Sequence, residues 1–442
     1  MSRNPIFLLF LVSSPLWADG NDAPRRVTLP EAVRLAEQNN PSMEVVRARL
    51  LEAQAQVKAA WAQLVPVARG SLTFTHNDKA DIVSFGGGSV VARRQDDLAG
   101  GLLVDVPLVN PQAWLYVSQA KLSERITQLS TEQLRQGLLL QVAAAYFQAL
   151  TAERMIDIYR EQIGGVEKHL LVADLHHRSG TGSRLDVLRA RSEILASQEQ
   201  LASAQAGLDN TIKSLSTLCA SADRLLPAGE PRFAVEGLSL DLLEQRALSR
   251  REDLLMARRS VELAERAVTG SWMRFLPVLS GTWQFSYQIT DPSAFRATDK
   301  TRWLYFITLS VPIFEEGRYA DLDLKRAALM RSRAELENAQ QQARLEVQRL
   351  WRDWRKAEEQ LQLAEQSARV AAETLQLALS AYQNGTGSSL EVTDAQRSQR
   401  QAEINLAIRR LETQLQLLTL LRATGEDLSR ISDFIQGGVE GL

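Results

Sequence analysis

Few side chains in this chain could do covalent or metal chemistry. There is one cysteine, Cys219, and there are four histidines, His76, His169, His176 and His177. A single thiol excludes an internal disulfide and any cysteine-based zinc cage. His176 and His177 are adjacent, so they point to different sides of a helix or strand. A metal site there is one reading, and an ordinary solvated pair is the other and the preferred one. The sequence holds no P-loop, no G-x-S-x-G, no H-E-x-x-H and no dinucleotide fingerprint. Acids are abundant, 53 Asp and Glu in all, but most must be solvated faces of helices, so pairs of them mean little. No catalytic residue, cofactor or metal is expected, and no enzyme. What recurs is a small polar constellation. Ser183 with Asp186, and Ser388 with Glu391, have the S-x-x-D/E spacing in which a serine hydroxyl and an acid satisfy the free N–H groups that open a helix. Each follows a glycine-rich turn, Ser179-Gly180-Thr181-Gly182 or Asn384-Gly385-Thr386-Gly387. Gly and Asn suit the left-handed position that closes the preceding helix.

The two turns belong to a longer repetition. Ser179 to Val187 reappears as Asn384 to Val392, and Val106-Pro107-Leu108 as Val311-Pro312-Ile313, both 205 positions on. Leu64-Val65-Pro66 with Gly70 reappears as Phe275-Leu276-Pro277 with Gly281, 211 positions on. The difference of six falls between residues 76 and 102. A repeat this long is a duplicated unit of domain size rather than a solenoid of short modules. The expected organisation is a signal peptide over 1–18, a first repeat over 19–230 and a second over 231–442.

The first residues support that leader. Arg3 is a thin basic start, Ile6 to Val12 an apolar core, and Leu16-Trp17-Ala18 ends in a small residue suited to cleavage. No cysteine follows the apolar run, so a lipid-anchored start is not expected. After residue 18 no run is long and apolar enough for a transmembrane helix, so any membrane insertion must use a β-barrel. A net charge of −2 with 24% charged residues gives no basic field for nucleic acid.

Each half alternates two patterns. Leu279, Gly281, Trp283, Phe285, Tyr287 and Ile289 alternate with Ser280, Thr282, Gln284, Ser286 and Gln288, a period of two with one apolar, aromatic-rich face. In the first half Ala68, Gly70, Leu72, Phe74 and His76 alternate with Arg69, Ser71, Thr73, Thr75 and Asn77. The returning strands carry Gly100, Leu102, Val104 and Val106, and Trp303, Tyr305, Ile307, Leu309 and Val311. Strand pairs are therefore expected near 66–108 and 277–313. Four such strands cannot close a barrel, for which about eight is the minimum, so other copies must complete it. The intervening segment, Asp78 to Asp97 with Gly86-Gly87-Gly88, reads as a mobile extracellular loop, either a receptor for phage or colicins or simply a loop.

The second pattern is helical. No proline occurs between Pro111 and Pro227 or after Pro312. The stretches 112–179 and 317–384 are rich in strong helix formers, and each would span roughly 100 Å as one helix. Their stripes are mixed and rich in alanine rather than pure coiled-coil seams. Gly137 and Gly164-Gly165 mark candidate bends. The turns 179–183 and 384–388 then lead into return helices.

Over nearly all of the mature sequence the chain resembles the TolC-like outer-membrane efflux protein family. Thr28-Leu29-Pro30-Glu31-Ala32-Val33 through Asn39-Asn40-Pro41 is similar to the family's opening helix. The W-x-x-L-x-P pattern at Trp61, Leu64 and Pro66, repeated at Trp272, Phe275 and Pro277, leads into its strands. Tyr382 to Thr386 and Leu390 to Gln396 are similar to its helical tip and the helix that follows. The resemblance implies a mixed α and β fold: a homotrimer with four strands per chain in a twelve-stranded transmembrane β-barrel, continued by a periplasmic α-helical barrel. It implies the outer membrane of a Gram-negative bacterium and a passive exit duct for tripartite efflux or type I secretion. Partners would be a periplasmic adaptor docking at Gly180, Thr181, Gly182, Gly385, Thr386 and Gly387, an inner-membrane transporter reached through it, and outer-membrane lipid. It also implies a periplasmic gate at Glu391 and Asp394 and a latch using Asp186 and Tyr382. The family's latch arginine falls on Gly387 here, with Arg184 and Arg189 as nearby substitutes. Drugs, metal ions, polypeptides and glycans are all carried within the family, and nothing in the residues selects among them. The competing reading is a non-conducting trimeric stalk or adhesin on a small barrel. That would favour clean Leu, Ile and Val heptads, whereas these helices are polar on all sides, as walls around water would be.

Overall fold

The computed structural model describes residues 24–231, 233, 239–290 and 299–434. The proposed leader over 1–18 lies outside the described residues. The chain divides into two compact units. One comprises Met1–Glu44, Leu134–Ala247 and Leu345–Leu442, the other Val45–Gln133 and Leu248–Arg344. Each therefore draws segments from both halves of the sequence.

Element order runs β1 (Arg25–Val27), α1 (Leu29–Asn39), α2 (Pro41–Ala62), β2 (Val67–His76), β3 (Asp81–Phe85), β4 (Gly88–Arg93), β5 (Asp96–Val109), α3 (Pro111–Arg178), α4 (Arg184–Leu218) and β6 (Leu225–Pro227). Then come α5 (Leu240–Arg250), α6 (Glu252–Met273), β7 (Val278–Gln288), β8 (Thr301–Ser310), α7 (Glu316–Gln383), α8 (Ser389–Ala423) and a terminal 3-10 turn, Leu428–Phe434. Helix α5 begins 211 positions after α1, at Leu240 against Leu29, and α6 keeps that interval from α2. Helix α7 begins 205 positions after α3, at Glu316 against Pro111, and α8 keeps that interval from α4. Helices α3 and α7 each have 68 residues, α4 and α8 each 35.

In the second unit β2, β5, β7 and β8 form one antiparallel sheet in that order. The register sets Ala68 beside Val104, Trp283 and Tyr305, and Gly70 beside Leu102, Phe285 and Trp303. Residues directly opposite in an antiparallel ladder share a face, so the apolar sets of all four strands lie on one side. The other side carries Arg69, Asp105 and Thr282, with Arg69 Nη1 and Thr282 Oγ1 donating to the Asp105 carboxylate at 3.2 and 3.0 Å. Trp303, Ile307 and Leu309 on the apolar side are more than half exposed. Strands β2 and β8 stand at the two edges, with β5 and β7 between them.

The segment expected as a loop, Asp78 to Asp97, departs from its reading. It carries the hairpin β3–β4, in which Ile82 pairs with Val91 and Phe85 with Gly88. Short β-branched runs flank a turn in which Gly87 takes φ +127°. A further short parallel pair, β1 with β6, lies in the first unit. Among the described residues there are thus more strands than the four expected, and those four alone share the large sheet.

Aromatic side chains gather beside one end of that sheet. Trp61 and Trp114 meet edge to face at 5.7 Å, just before β2 and just after β5. Phe275 packs on Trp272 and Tyr319, just before β7 and after β8. Antiparallel order brings these four strand ends to the same edge of the sheet.

Pro111 opens α3, where its missing N–H costs nothing, and the Asn110 side chain accepts from the Ala113 N–H at 3.2 Å. The helix continues unbroken through Gly137 and Gly164-Gly165. In the first unit Leu139, Tyr146, Leu215, Leu225, Leu243, Leu418 and Leu421 are fully buried. The terminal turn is held by Asp427, which accepts from Arg135 and Gln136, and by Gln136 accepting from the Leu428 N–H at 2.9 Å. Burial pushes the Cys219 thiol up to about 11. No described helix is long and apolar enough to cross a membrane.

Candidate functional site at the paired helical turns

Both turns lie in the first unit and close by the same backbone device. Gly180 and Gly385 take φ +78° and +75°. The Thr181 N–H then reaches back to the His176 carbonyl at 2.9 Å and the Gly180 N–H to His177 at 3.1 Å. Thr386 and Gly385 repeat the pattern on Ala381 and Tyr382, at 3.0 and 3.1 Å. These paired bonds satisfy the last carbonyls of α3 and α7. The second glycine of each turn is needed for a different reason. A Cβ at Gly182 would lie 2.7 Å from that of His176, and one at Gly387 2.9 Å from that of Ala381. A side chain at position 387 would meet Ala381 and the Tyr382 backbone unless the turn shifted. The tip residues Gly180, Thr181, Gly385 and Thr386 are exposed, and Gly182 and Gly387 partly so.

The two return helices begin differently. Ser388 and Glu391 form the full reciprocal cap, with the Glu391 N–H on the serine hydroxyl at 3.2 Å and the Ser388 N–H on Glu391 Oε2 at 2.9 Å. Ser183 instead accepts from the Leu185 N–H at 3.0 Å. The expected reciprocal use of Asp186 does not form: its carboxylate faces Arg189, one turn along the same helix, at 3.8 Å. Arg189 is thus committed locally. On α8, Glu391 and Asp394 lie one turn apart and both are exposed, while Val392, Thr393, Ala395 and Gln396 are buried.

Three contacts join the elements behind the turns. Tyr382 is buried, its ring 4.9 Å from that of His169 and 5.3 Å from that of His176, both on α3. Its hydroxyl lies near that of Ser389 but makes no well-formed hydrogen bond. Burial raises that hydroxyl's pKa and the nearby Asp186 charge adds to it, with Ser389 opposing. Asp186 and Tyr382 are therefore in electrostatic reach of one another without a hydrogen bond. His169, 2% exposed, bonds through Nε2 to the Ser389 hydroxyl at 3.1 Å. His177 Nδ1 faces the Gly182 carbonyl at 3.3 Å, so the adjacent histidines do point to different neighbours. Among the described residues no three His, Cys, Asp or Glu side chains converge as metal ligands.

A buried charged contact joins the two return helices, and the sequence did not announce it. Glu193 on α4, its side chain 3% exposed, accepts from Arg397 Nε and Nη2 at 2.9 and 2.7 Å and from Arg400 Nη1 at 3.1 Å. Burial alone would raise its pKa, but the hydrogen bonds and charges of the two guanidinium groups more than offset this and hold the carboxyl below its usual range. Arg400 is itself mostly buried, whereas Arg397 is half exposed. The three side chains form a clasp between α4 and α8.

A family model described as outer membrane efflux protein matches residues 32–221 and 243–426. The cation efflux system protein CusC of Escherichia coli O157:H7 is 26% identical over 395 residues, covering 87% of this chain and 84% of that protein. The outer membrane protein TolC of Vibrio cholerae serotype O1 is 23% identical over 432 residues, covering 95% and 94%. A crystal structure of CusC superimposes with a TM-score of 0.76 at 22% identity, over 90% of this chain and 92% of that one.

Proposed function

The chain belongs to the outer membrane efflux protein family, and on that premise we propose that it works as a homotrimeric exit duct, gated at its paired helical turns. Its place is the outer membrane, as one stage of a tripartite export system.

The observation that carries the reading is the open four-stranded sheet. One face is apolar and aromatic, the other mostly polar with Leu103, Leu304 and Phe306 among its residues, and β2 and β8 are the edge strands among the described residues. Joining β8 of one copy to β2 of the next keeps every pair antiparallel, so copies can close a barrel without an unpaired edge. Two copies would reach the minimum of about eight strands. Three, giving twelve strands, is the number the family resemblance implies. The aromatic cluster at one strand end suits a membrane–water boundary. The matched intervals of the helices support an origin by duplication, with repeats over 19–230 and 231–442.

The exposed Gly-Thr-Gly turns are the surface offered to a periplasmic adaptor, which would connect the duct to an inner-membrane transporter. Three copies of Glu391 and Asp394 would set about six carboxylates around a narrow axis. Like charges so placed attract cations. Within each copy the Glu193 clasp holds α8 on α4 and so keeps that acidic face in place. With no side chain at position 387, this clasp takes the main closing role, and Asp186 and Tyr382 contribute through the field they share. The two acids of the clasp and cap have separate duties: Glu193 binds helices together, while Glu391 both caps α8 and charges the mouth.

Counting the copies tests the assembly. Native mass measurement of the detergent-extracted protein is expected to give three chains per particle; a stable monomer or dimer would overturn it.

A further inference from the structure

Behind the second turn lies a buried imidazole that neither the cap nor the clasp uses. His169 Nε2 meets the hydroxyl of Ser389, the first residue of α8, while His169 Nδ1 is buried with no hydrogen-bond partner. We infer that His169 is an acid-responsive pin: neutral, it holds the α7–α8 turn against α3, and on taking up a proton it releases that turn and loosens the periplasmic mouth. The inference rests on the duct reading for its consequence, but not for its chemistry.

The geometry gives the direction. A neutral imidazole leaves one ring nitrogen unsatisfied; an imidazolium would place a second N–H donor, and a charge, where no acceptor waits. Ser389 belongs to the first turn of α8, whose free N–H groups carry partial positive charge and oppose a cation. The groups that face the ring can be named element by element. On α7 it is Tyr382, neutral over the physiological range. On α8 it is Ser389, with the nearest acid, Glu391, exposed and engaged in its cap. On α4 it is Asp186, the one charge that favours the protonated ring, and it already faces Arg189. On α3 itself, His176 lies across Tyr382, and Glu167 and Lys168 are exposed. Burial outweighs Asp186, so His169 titrates below the ordinary histidine value of 6.5. The contact is therefore intact above about pH 6.5 and lost as pH falls through the lowered value. The clasp outlasts it, because Glu193 is held below the usual carboxylate range.

The test uses the intact assembled protein, comparing wild type with His169→Gln, which can still bond Ser389 but cannot titrate. Open probability in planar bilayers is followed from pH 7.5 to 5.0, together with hydrogen exchange at the Asn384–Ser388 amides, corrected for intrinsic rates. The wild type is expected to open and to lose protection by up to about tenfold per pH unit for each titrating site, and His169→Gln to stay flat. Equal pH dependence in both proteins would overturn the pin. Should the variant already be loose at pH 7.5, an NMR titration of the His169 ring in the wild type decides. Loss of tip protection must share its midpoint, and a mismatch of more than about one pH unit, the width of a single titration, overturns the inference. No conductance at any pH, with exchange still following His169, would count against the duct and leave the pin standing.

Discussion

Replacing Glu193 by glutamine tests the clasp with the least change of shape. The carboxylate is 3% exposed and accepts three hydrogen bonds from two guanidinium groups. The carboxamide keeps one acceptor and turns a donor toward Arg397 or Arg400. Arg397 is 56% exposed, so water screens its share to about 0–1 kcal/mol. Arg400 is 15% exposed against a buried partner. A hydrogen bond to a charged group contributes about 1.5–3 kcal/mol, and a buried charge left unpaired costs more than the bond was worth. Together these put the loss at about 2–3 kcal/mol, below the full cost of a stranded ion because one acceptor survives. If the clasp closes the mouth, the open-to-closed ratio should rise roughly 30- to 150-fold, at about 1.4 kcal/mol per factor of ten. Single-channel recording reads that ratio. A double-mutant cycle with Arg400→Gln then isolates the pair. The reasoning fails if Glu193→Gln leaves the ratio within a factor of about two, or if the two substitutions are additive within about 0.5 kcal/mol.

Three further outcomes follow from the same geometry. Glu391→Gln should keep the cap of α8, since glutamine serves at that position, so any rise in conductance it shares with Asp394→Asn reports charge. Glu391→Ala adds loss of the cap, about 1 kcal/mol, and should lower the melting point as well. Gly387→Arg should destabilise the turn by about 1–3 kcal/mol through its clash with Ala381; a tighter, more stable mouth would contradict the steric account. Ile307→Lys on the apolar face should cost about 2–4 kcal/mol in folded, assembled protein if it lies near mid-membrane. Thr308→Lys, next along β8 but on the polar face, should be tolerated. Equal yields of heat-resistant assembly from both would contradict the assignment of faces.

The parts of this fold that repeat with a short period were legible in the sequence. Alternation over Leu279 to Ile289 needed no partner to be read, and the observed register simply aligned it with Gly100 to Val106 and Trp303 to Leu309. The turns were legible because Gly180 and Gly385 meet a backbone demand few other residues meet. The hairpin β3–β4 was hidden by its three successive glycines, although Ile82-Val83 and Val90-Val91 on either side were the available signal. Ser183 and Ser388 share one spacing, yet only Ser388 completes the reciprocal cap, because Asp186 turns to Arg189 instead. The clasp was beyond reach. Glu193 lies 204 and 207 residues from its partners, and nothing local separates it from the many solvated acids on neighbouring turns. His169 was visible only as one of four histidines, since burial is set by what α7 and α8 bring to it.

The most direct test of the duct is the conductance of the purified wild-type assembly in a planar bilayer at neutral pH. The account predicts discrete single-channel steps of small conductance, favouring cations at the acidic mouth, that enlarge in Glu193→Gln. A correctly assembled protein that passes no current in either form would contradict it and favour a closed, load-carrying stalk.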